Sequence, residues 1–421
     1  MTIVSTLTPQ PADRTLDAGA SLSSPVASIP QRVLTVAHTW IAIVAVFLPI
    51  DLWRRARVAL TDGEGRPFGD DFINYWSGGA LALQGLAADA YRFASYHAFQ
   101  ESIAGAPIAQ YHYSYPPMMM LLMMPLALAP YVPAFVIWTA STWAMFWQAL
   151  RLAMPNGGAL LLALAAPAVF VNAYNGQNGA LTAALLGGGL CLLERRPALA
   201  GVLFGLLIYK PHLGILLPIA LIAGRQWRAF IAAGATALAL IAASAVLFGP
   251  SIFADYARFA SVLRVTILEN GADIGWNRMV SVFVFARQLG LDVPASYAVQ
   301  AIAALCAAAV VATAWFTDRA APVRYALLVL GTMMATPYLQ DYDLVIAIFV
   351  VVWLWQTDGI EPRLRIAACA ALLLVPMLAG PIAKATDLAL GALFILPAFA
   401  IAVQLAWRER SASGASALQT R

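Results

Sequence analysis

The segment PALAGVLFGLLIYKPHLGILLPIALIAG, residues 197–224, is apolar except where Lys210-Pro211-His212 interrupts it. Basic residues flank the segment on both sides, at 195–196 and at 225–228. Lysine and arginine accumulate in the cytoplasmic loops of membrane proteins, so both flanks are predicted to be cytoplasmic. The segment must then enter the membrane and return, with Lys210 at its far end and Pro211 as the natural helix break. Each arm is shorter than the roughly 20 residues of a full span, which predicts a shallow hairpin.

The composition of the whole chain indicates the same environment. Of the 421 residues, 62% are hydrophobic and only 11% are charged, whereas soluble domains carry roughly 25% charged residues. The mean hydropathy is +0.77. The net charge of +4 is small and spread along the chain, which argues against a nucleic-acid partner. The chain is therefore predicted to be an all-α polytopic membrane protein.

Ten further apolar segments are predicted to cross the membrane, so the two hairpin arms bring the total to about twelve spans. With the basic clusters at 319–324, 363–365 and 408–410 also cytoplasmic, both termini are cytoplasmic. Segments 115–130 and 278–290 are predicted to be re-entrant or interfacial. The ten segments are 33–53, 131–150, 158–173, 177–193, 229–249, 294–316, 322–337, 340–356, 364–381 and 384–407.

The chain is predicted to contain one membrane-embedded domain, residues 31–408, between disordered cytoplasmic tails at 1–30 and 409–421. One feature conflicts with the topology. Arg54, Arg55 and Arg57 follow the first span on the outer side, against the charge rule. Either the topology is wrong there, or these arginines have a role of their own.

The first outer loop carries adjacent aspartates in GDDFINYW, residues 69–76. The stretch from there to Gln100 has helical periodicity and is predicted to form an amphipathic helix on the membrane surface. Asp70 or Asp71 could be the N-cap of that helix. Alternatively, one of them could be a general base that removes a proton from an attacking hydroxyl.

Three other outer elements carry polar side chains. Lys210 and His212 could form a cationic site for a lipid phosphate, although a lysine that snorkels to the interface is the simpler interpretation. The turn NAYNGQN, residues 172–178, is either a plain Asn/Gly turn or a set of amides that bind sugar hydroxyls. Asp341 and Asp343 begin a predicted span and could be no more than charges at a helix N-terminus.

These elements together resemble glycosyltransferase family 87, which is related to polyprenyl-phosphate-mannose-dependent α-mannosyltransferases and has the GT-C fold. The resemblance implies a transferase that moves a hexose, with mannose as the best-known donor sugar, from a polyprenyl phosphate to an acceptor hydroxyl with inversion. The reaction would take place on the outer side of a bacterial inner membrane. The segments that carry it are DFINYW (71–76), YSYPP (113–117), NGQNGAL (175–181), AGVLFGLLIYKP (200–211), NRMVSVFVFARQLGL (277–291) and TPYLQDYDL (336–344).

The resemblance also implies roles for individual residues. The family's acidic residue corresponds to Asp71, and its neighbour Asp70 leaves open which of the two is the base. Lys210, His212 and Arg278 are expected to bind the donor phosphate. Sugar or acceptor contacts are expected from Tyr75, Trp76, Tyr113, Tyr115, Asn175, Gln177, Asn178 and Asp341. The expected partners are a polyprenyl-phosphate sugar donor, a glycolipid or glycan acceptor, and membrane lipids.

No metal or cofactor is predicted, because the sequence has no Walker loop, no GxGxxG before a helix and no HExxH. The main alternative is a transporter or flippase for a lipid-linked sugar. Secondary transporters often contain internal repeats and broken helices that bind at mid-membrane depth. The two halves of this chain show no repeat, and its polar residues gather on one face, so the enzyme is favoured.

Overall fold

The computed structural model describes residues 31–271 and 275–419. Within that part of the chain all regular structure is helical, apart from three isolated β-bridges. The predicted tail at residues 1–30 lies outside the described residues. The helices of the first half are α1 (Gln31–Arg54), α2 (Phe72–Leu83), α3 (Phe93–Ala104), α4 (Met118–Ala127), α5 (Tyr131–Ala153), α6 (Ala159–Ala165), α7 (Pro167–Tyr174), α8 (Gly179–Leu192), α9 (Pro197–Leu206) and α10 (Leu217–Ala223).

The second half of the described chain contains nine further α-helices. The last one extends to Gln419, beyond Arg408, where the sequence predicts the membrane domain to end. These helices are α11 (Trp227–Phe248), α12 (Ile252–Leu263), α13 (Gly275–Arg278), α14 (Val282–Gln288), α15 (Val293–Phe316), α16 (Ala321–Ala335), α17 (Ala347–Gln356), α18 (Pro362–Thr386) and α19 (Gly391–Gln419). Short 3₁₀ helices cover 87–91, 207–209, 211–214 and 341–346, and a π-helix covers 264–269.

Within the described residues, five helices are long and apolar enough to cross a membrane, namely α1, α11, α15, α18 and the part of α19 up to Arg408. Helices α4 and α5 qualify only as a pair, and they are bent by 118° at the break between them. Pro130 occupies this break and begins α5 as its N-cap residue. The prediction of an α-helical integral membrane protein is thus confirmed.

Two predicted spans are not single helices. Segment 158–173 is divided into α6 and α7 at Ala166, which is extended and precedes Pro167. Proline disfavours the helical conformation in the residue before it, which explains the break. Segment 340–356 begins as the 3₁₀ helix 341–346, and only then continues as α17.

The hairpin at 197–224 is confirmed. Helices α9 and α11 run in the same direction, because Gly201 packs on Ala229 and Gly205 packs on Ala233. Two parallel neighbours require the chain to return between them, and α10 is the return. Gly224 at the end of α10 packs against Trp315.

The basic flanks of the hairpin lie at one end of the bundle. The indole of Trp315 donates to the carbonyl of Arg324, and Arg324 forms an ion pair with Glu194 at 2.7 Å. Lys210 lies at the other end of the hairpin, where it bonds to Asn178 at the beginning of α8. The polar site therefore forms at the end of the bundle opposite these basic residues.

The prediction of one amphipathic surface helix from Phe72 to Gln100 is wrong. The chain forms two helices, because α2 ends at Gln84-Gly85, where Gly85 has a φ of +75°. Every residue of α2 from Phe72 to Ala82 is buried. Gly78 and Gly79 allow this burial, since added Cβ atoms would collide with Tyr113 and with the backbone of Met123. Helix α2 is thus a core element that supports the aspartates before it.

Candidate active site

The main cavity has a volume of about 760 Å³ and lies where α2, the 175–178 turn, α13, the 338–342 loop and α18 meet. Segments that are far apart in sequence form its wall. Eight of the predicted site residues line it: Asp70, Asp71, Tyr75, Tyr115, Asn175, Gln177, Arg278 and Asp341.

The two aspartates are held against the amide turn by backbone contacts. The amide of Asp71 donates to the carbonyl of Asn175 at 3.2 Å. A side chain at Gly176 would collide with the carbonyl oxygen of Gly69, and Gly176 has a φ of +59°. Glycine is the residue that adopts this conformation without cost. The glycine of NGQN is therefore what allows the turn to approach GDD.

Asp71 occupies the N-cap position of α2, but its side chain makes no capping hydrogen bond. Its Oδ2 instead accepts a hydrogen bond of 2.6 Å from Nε2 of Gln177. Burial raises the pKa of Asp71 to about 7, and the charge of Asp70 adds to the rise. Arg278, the Gln177 hydrogen bond and Arg66 oppose it. A carboxyl group in this range can exchange a proton near neutral pH.

Asp70 has a different environment from Asp71. Nε of Arg66 donates to its Oδ2 at 2.8 Å, and the hydroxyl of Tyr111 donates to its Oδ1 at 2.6 Å. Buried Arg55 lies 3.7 Å away and also forms an ion pair with Asp51. This ion pair explains why one arginine that conflicts with the charge rule follows the first span. Asp70 is therefore neutralised by cations, whereas an uncharged amide holds Asp71.

Lys210 is nearly fully buried and forms an ion pair with Asp343. Its Nζ also donates to Oδ1 of Asn178 at 3.0 Å. Asp343 is thus the counter-ion of Lys210 as well as part of the capping box of the 3₁₀ helix 341–346. Lys210 was predicted to bind the donor phosphate, but its charge is already paired with Asp343.

Lys210 and His212 line a second cavity of about 230 Å³, and neither lines the main cavity. The two cavities share wall residues, among them Tyr115 and Tyr342. Arg278 alone of the three predicted phosphate ligands therefore lies in the main cavity.

Arg278 is paired with Asp341. Its guanidinium makes two close contacts with that carboxylate, from Nε at 3.0 Å and from a terminal nitrogen at 2.8 Å. The guanidinium also lies over the ring of Tyr342, 5.3 Å from the ring centre. More than a quarter of the Arg278 side chain remains exposed at the cavity. Asp341 was predicted to contact the sugar. In the structure its carboxylate accepts hydrogen bonds from Arg278 and orients that guanidinium.

Three predicted contact residues do not line the main cavity. The indole of Trp76 donates to the carbonyl of Ala129 at 3.2 Å, which joins α2 to the α4–α5 bend. Tyr113 is buried and packs edge-on against Tyr91 and Tyr96. Asn178 is buried behind the wall, where it contacts Lys210.

Several cavity residues were not predicted. Arg66 lies four positions before Asp70 and forms an ion pair with it. A basic residue so close to two adjacent aspartates could have been predicted as their counter-ion. Tyr111 and Tyr174 both contact this ion-pair cluster, Tyr174 by a hydrogen bond from Arg66. Lys384 is exposed and lines the cavity from the end of α18, about 300 residues after Asp70 and Asp71 in the sequence. No sequence pattern links Lys384 to the aspartates.

Metal ligands are not grouped in this cavity. Among the side chains that the structure describes, within residues 31–271 and 275–408, no three His, Cys, Asp or Glu groups come together as a metal-binding group. The chemistry that the described side chains offer is a carboxylate of raised pKa beside arginines, tyrosines and amides.

The fold and the cavity together define a helical membrane protein with a polar site at one end of its bundle. A family model described as Glycosyltransferase family 87 matches residues 113–337, more than half of the chain. The chain therefore belongs to glycosyltransferase family 87 and is a membrane glycosyltransferase. Neither a curated protein nor a solved structure matches it. Asp70 and Asp71 lie before the matched residues, so their roles depend on the geometry.

Proposed function

We propose that this glycosyltransferase moves a hexose from a polyprenyl-phosphate-linked donor to an acceptor hydroxyl, with inversion, and that Asp71 is its general base. One observation carries the assignment of the base. Three aspartates of the described residues line the main cavity. Asp70 is paired with Arg66 and Asp341 with Arg278. Asp71 is held by the neutral amide of Gln177. A general base must be free to approach the acceptor hydroxyl, and Asp71 is the one of these three carboxylates that no guanidinium holds by a hydrogen bond.

In the proposed reaction the acceptor hydroxyl attacks the anomeric carbon of the donor while its proton passes to Asp71. The bond from the anomeric carbon to the phosphate oxygen breaks, and polyprenyl phosphate leaves from the opposite face. A single displacement of this kind inverts the configuration. A double displacement would need a second carboxylate as nucleophile. Asp70 and Asp341 are held by arginines, and Glu64, the other described carboxylate of the cavity wall, is exposed.

The leaving phosphate needs positive charge more than a proton. Arg278 supplies a guanidinium that is exposed to the cavity and oriented by Asp341 and Tyr342. Lys384 supplies a second cation at the same cavity. Such preorganised charges stabilise a developing anion without reorganisation during the reaction. We therefore assign the donor phosphate to the Arg278 side of the main cavity.

We propose a GT-C-like bundle with about twelve membrane spans. The short hairpin supports a site that lies within the outer leaflet of the membrane. Its arms, 197–209 and 211–223, have 13 residues each. At 1.5 Å per residue each arm is about 20 Å long, whereas the hydrocarbon core is about 30 Å thick. Lys210 would thus lie below the outer surface, within reach of the headgroup region. The basic residues at the opposite end would be cytoplasmic, as would both termini.

The test of this proposal is release of the carrier. Protein in nanodiscs is incubated with radiolabelled polyprenyl-phosphate mannose, with the glucose form in parallel, and a total lipid extract supplies acceptors. The expected result is that polyprenyl phosphate is released, that Asp71→Asn abolishes the release, and that Asp70→Asn retains part of it. If Asp71→Asn releases the carrier at the wild-type rate, the assignment of the base is overturned. A flippase would move the intact donor across vesicles without releasing the carrier.

A further inference from the structure

A continuous chain of hydrogen bonds connects Lys210 with Asp71. It begins at Nζ of Lys210, which donates to Oδ1 of Asn178 at 3.0 Å. A lysine ammonium can only donate hydrogen bonds. The side of the Asn178 amide that faces Lys210 must therefore be its oxygen. Lys210 in this way fixes the orientation of the amide.

The orientation of the Asn178 amide determines the hydrogen bonds of two tyrosines. Its Nδ2 lies 3.2 Å from the hydroxyl of Tyr75 and 3.0 Å from the hydroxyl of Tyr115. Both hydroxyls therefore accept from Asn178. The proton of the Tyr75 hydroxyl is left to be donated elsewhere, and it bonds to Oε1 of Gln177. The hydroxyl of Tyr115 also lies 3.1 Å from that of Tyr75, and in this arrangement Tyr115 is the donor of that pair.

Gln177 completes the chain. Because its oxygen accepts from Tyr75, its Nε2 faces Asp71 and donates to Oδ2 at 2.6 Å. The flipped amide would place oxygen against an ionised carboxylate and leave two donors facing each other at Tyr75. Every donor in the chain thus points from Lys210 towards Asp71.

We propose that Lys210 is a positioning residue for the general base, acting through Asn178, Tyr75 and Gln177 to present an amide N–H to the Asp71 carboxylate. This inference rests on the proposed role of Asp71. Asp343 is the counter-ion of the buried Lys210 ammonium, and Lys210 needs no contact with the donor to act in this way. The chain holds one oxygen of Asp71 and favours its ionised form over its protonated form.

Other groups also influence Asp71, and they come from every side of the cavity. Tyr75→Phe leaves the charges of these groups in place, so a change in titration in that variant would report the chain itself. These groups are Asp70 and Arg66 on the first loop, Tyr111 and Tyr115 on the segment before α4, Tyr131 on α5, Arg278 on α13, and Tyr338 and Tyr342 on the 338–342 loop. Asp341, Glu64 and Lys384 line the same cavity.

The experiment removes the ion pair as a unit, so that no unpaired charge is left buried. The double variant Lys210→Met/Asp343→Asn is compared with Tyr75→Phe, which keeps the aromatic ring and removes the hydroxyl that donates to Gln177. The matched control is Tyr209→Phe. It removes a buried hydroxyl next to Lys210 that bonds to Thr182 at 2.7 Å and lies outside the chain. Carrier release from polyprenyl-phosphate mannose is measured as kcat and donor KM across pH.

We expect kcat to fall about 10- to 100-fold in the double variant and in Tyr75→Phe, with donor KM changed less than about threefold. The acidic midpoint of the kcat profile should move to higher pH in both variants, and Tyr209→Phe should resemble the wild type. If donor KM rises while kcat and the midpoint stay unchanged, Lys210 contacts the donor and the inference is overturned. A fall in kcat with an unchanged midpoint overturns it as well.

The controls separate this inference from the proposed function. If Asp71→Asn is inactive while both chain variants are fully active, the inference fails and the base assignment stands. If Asp71→Asn is active, the proposed function fails first. Should the double variant not accumulate in membranes, the comparison of Tyr75→Phe with Tyr209→Phe decides the question by the same criteria.

Discussion

Asp70 and Asp71 are neighbours in sequence, yet the structure gives them opposite partners. Asp70 is held by Arg66 at 2.8 Å, and Asp71 by the amide of Gln177 at 2.6 Å. The positive φ of Asp70, +51°, turns the backbone between them. Both carboxylates line the cavity, but Asp70 is held in an ion pair with Arg66, whereas Asp71 has an amide partner and a raised pKa. The predictions below follow from this division.

The first prediction concerns the pH dependence of transfer. The pKa of Asp71 is raised to about 7, and only the ionised carboxylate can accept a proton. Activity should therefore be low at about pH 5 and rise with pH, with a midpoint near the pKa. The kcat profile of carrier release checks this expectation. A profile that is flat from about pH 5 to pH 9 would contradict it.

The second prediction concerns Asp70→Asn. Removing this negative charge should lower the pKa of Asp71, because the charge of Asp70 is one of the causes that raise it. The acidic limb of the profile should then move to lower pH. The variant should also be less stable, since Arg66 loses its counter-ion and Arg55 keeps only Asp51, at a cost of about 3 kcal/mol for a broken buried pair. The double variant Arg66→Met/Asp70→Asn is the control, and it should recover part of the stability.

The third prediction is that Asp71→Asn stabilises the protein while it abolishes transfer. The folded-state pKa of Asp71 is above its ordinary value, so the protonated form is favoured in the fold. Ionisation of Asp71 therefore destabilises the folded state as pH rises through about 7. At about pH 8 the variant should unfold about 2 °C or more above the wild type. At about pH 5, where Asp71 is protonated in the folded protein, the gain should be smaller.

The fourth prediction concerns Gly176→Ala. The added Cβ would collide with the carbonyl of Gly69 at a residue whose φ is +59°. The turn and the aspartate loop must then separate, and Gln177 moves away from Asp71. We expect kcat to fall about 100-fold, because displacements of about 1 Å in a catalytic constellation have effects of this size. Gly234→Ala is the matched control, since its Cβ would meet no atom within 4 Å.

The fifth prediction concerns the donor phosphate. Arg278→Gln should raise donor KM and lower kcat, since it removes a cation from the main cavity and leaves Asp341 unpaired. Arg278→Gln/Asp341→Asn removes the pair as a unit and separates these two effects. Lys384→Gln should raise donor KM by a smaller factor, because Lys384 is exposed and its charge is screened. Unchanged donor KM in all three variants would place the phosphate elsewhere.

Local sequence was sufficient wherever backbone chemistry decided the structure. The apolar runs predicted membrane helices, and Lys210-Pro211 with its basic flanks predicted the hairpin, because charge and proline act on a segment without help from its neighbours. Local sequence did not predict the environment of α2 correctly. The periodicity suggested a helix with an exposed face, but Gly78 and Gly79 allow α4 and Tyr113 to cover that face. Such burial depends on segments 30 or more residues away, and periodicity does not report them.

The sequence by itself determined that this is a helical membrane protein of glycosyltransferase family 87, with its polar residues gathered at one end. It also identified Asp70 and Asp71 as a pair without separating them. Only the tertiary structure separated them, by bringing Arg66 and Tyr111 to one carboxylate and Gln177 to the other. It also paired Lys210 with Asp343, 133 positions away. The reason is physical: composition and proline act locally, whereas the state of a buried carboxylate depends on which distant charges and amides reach it.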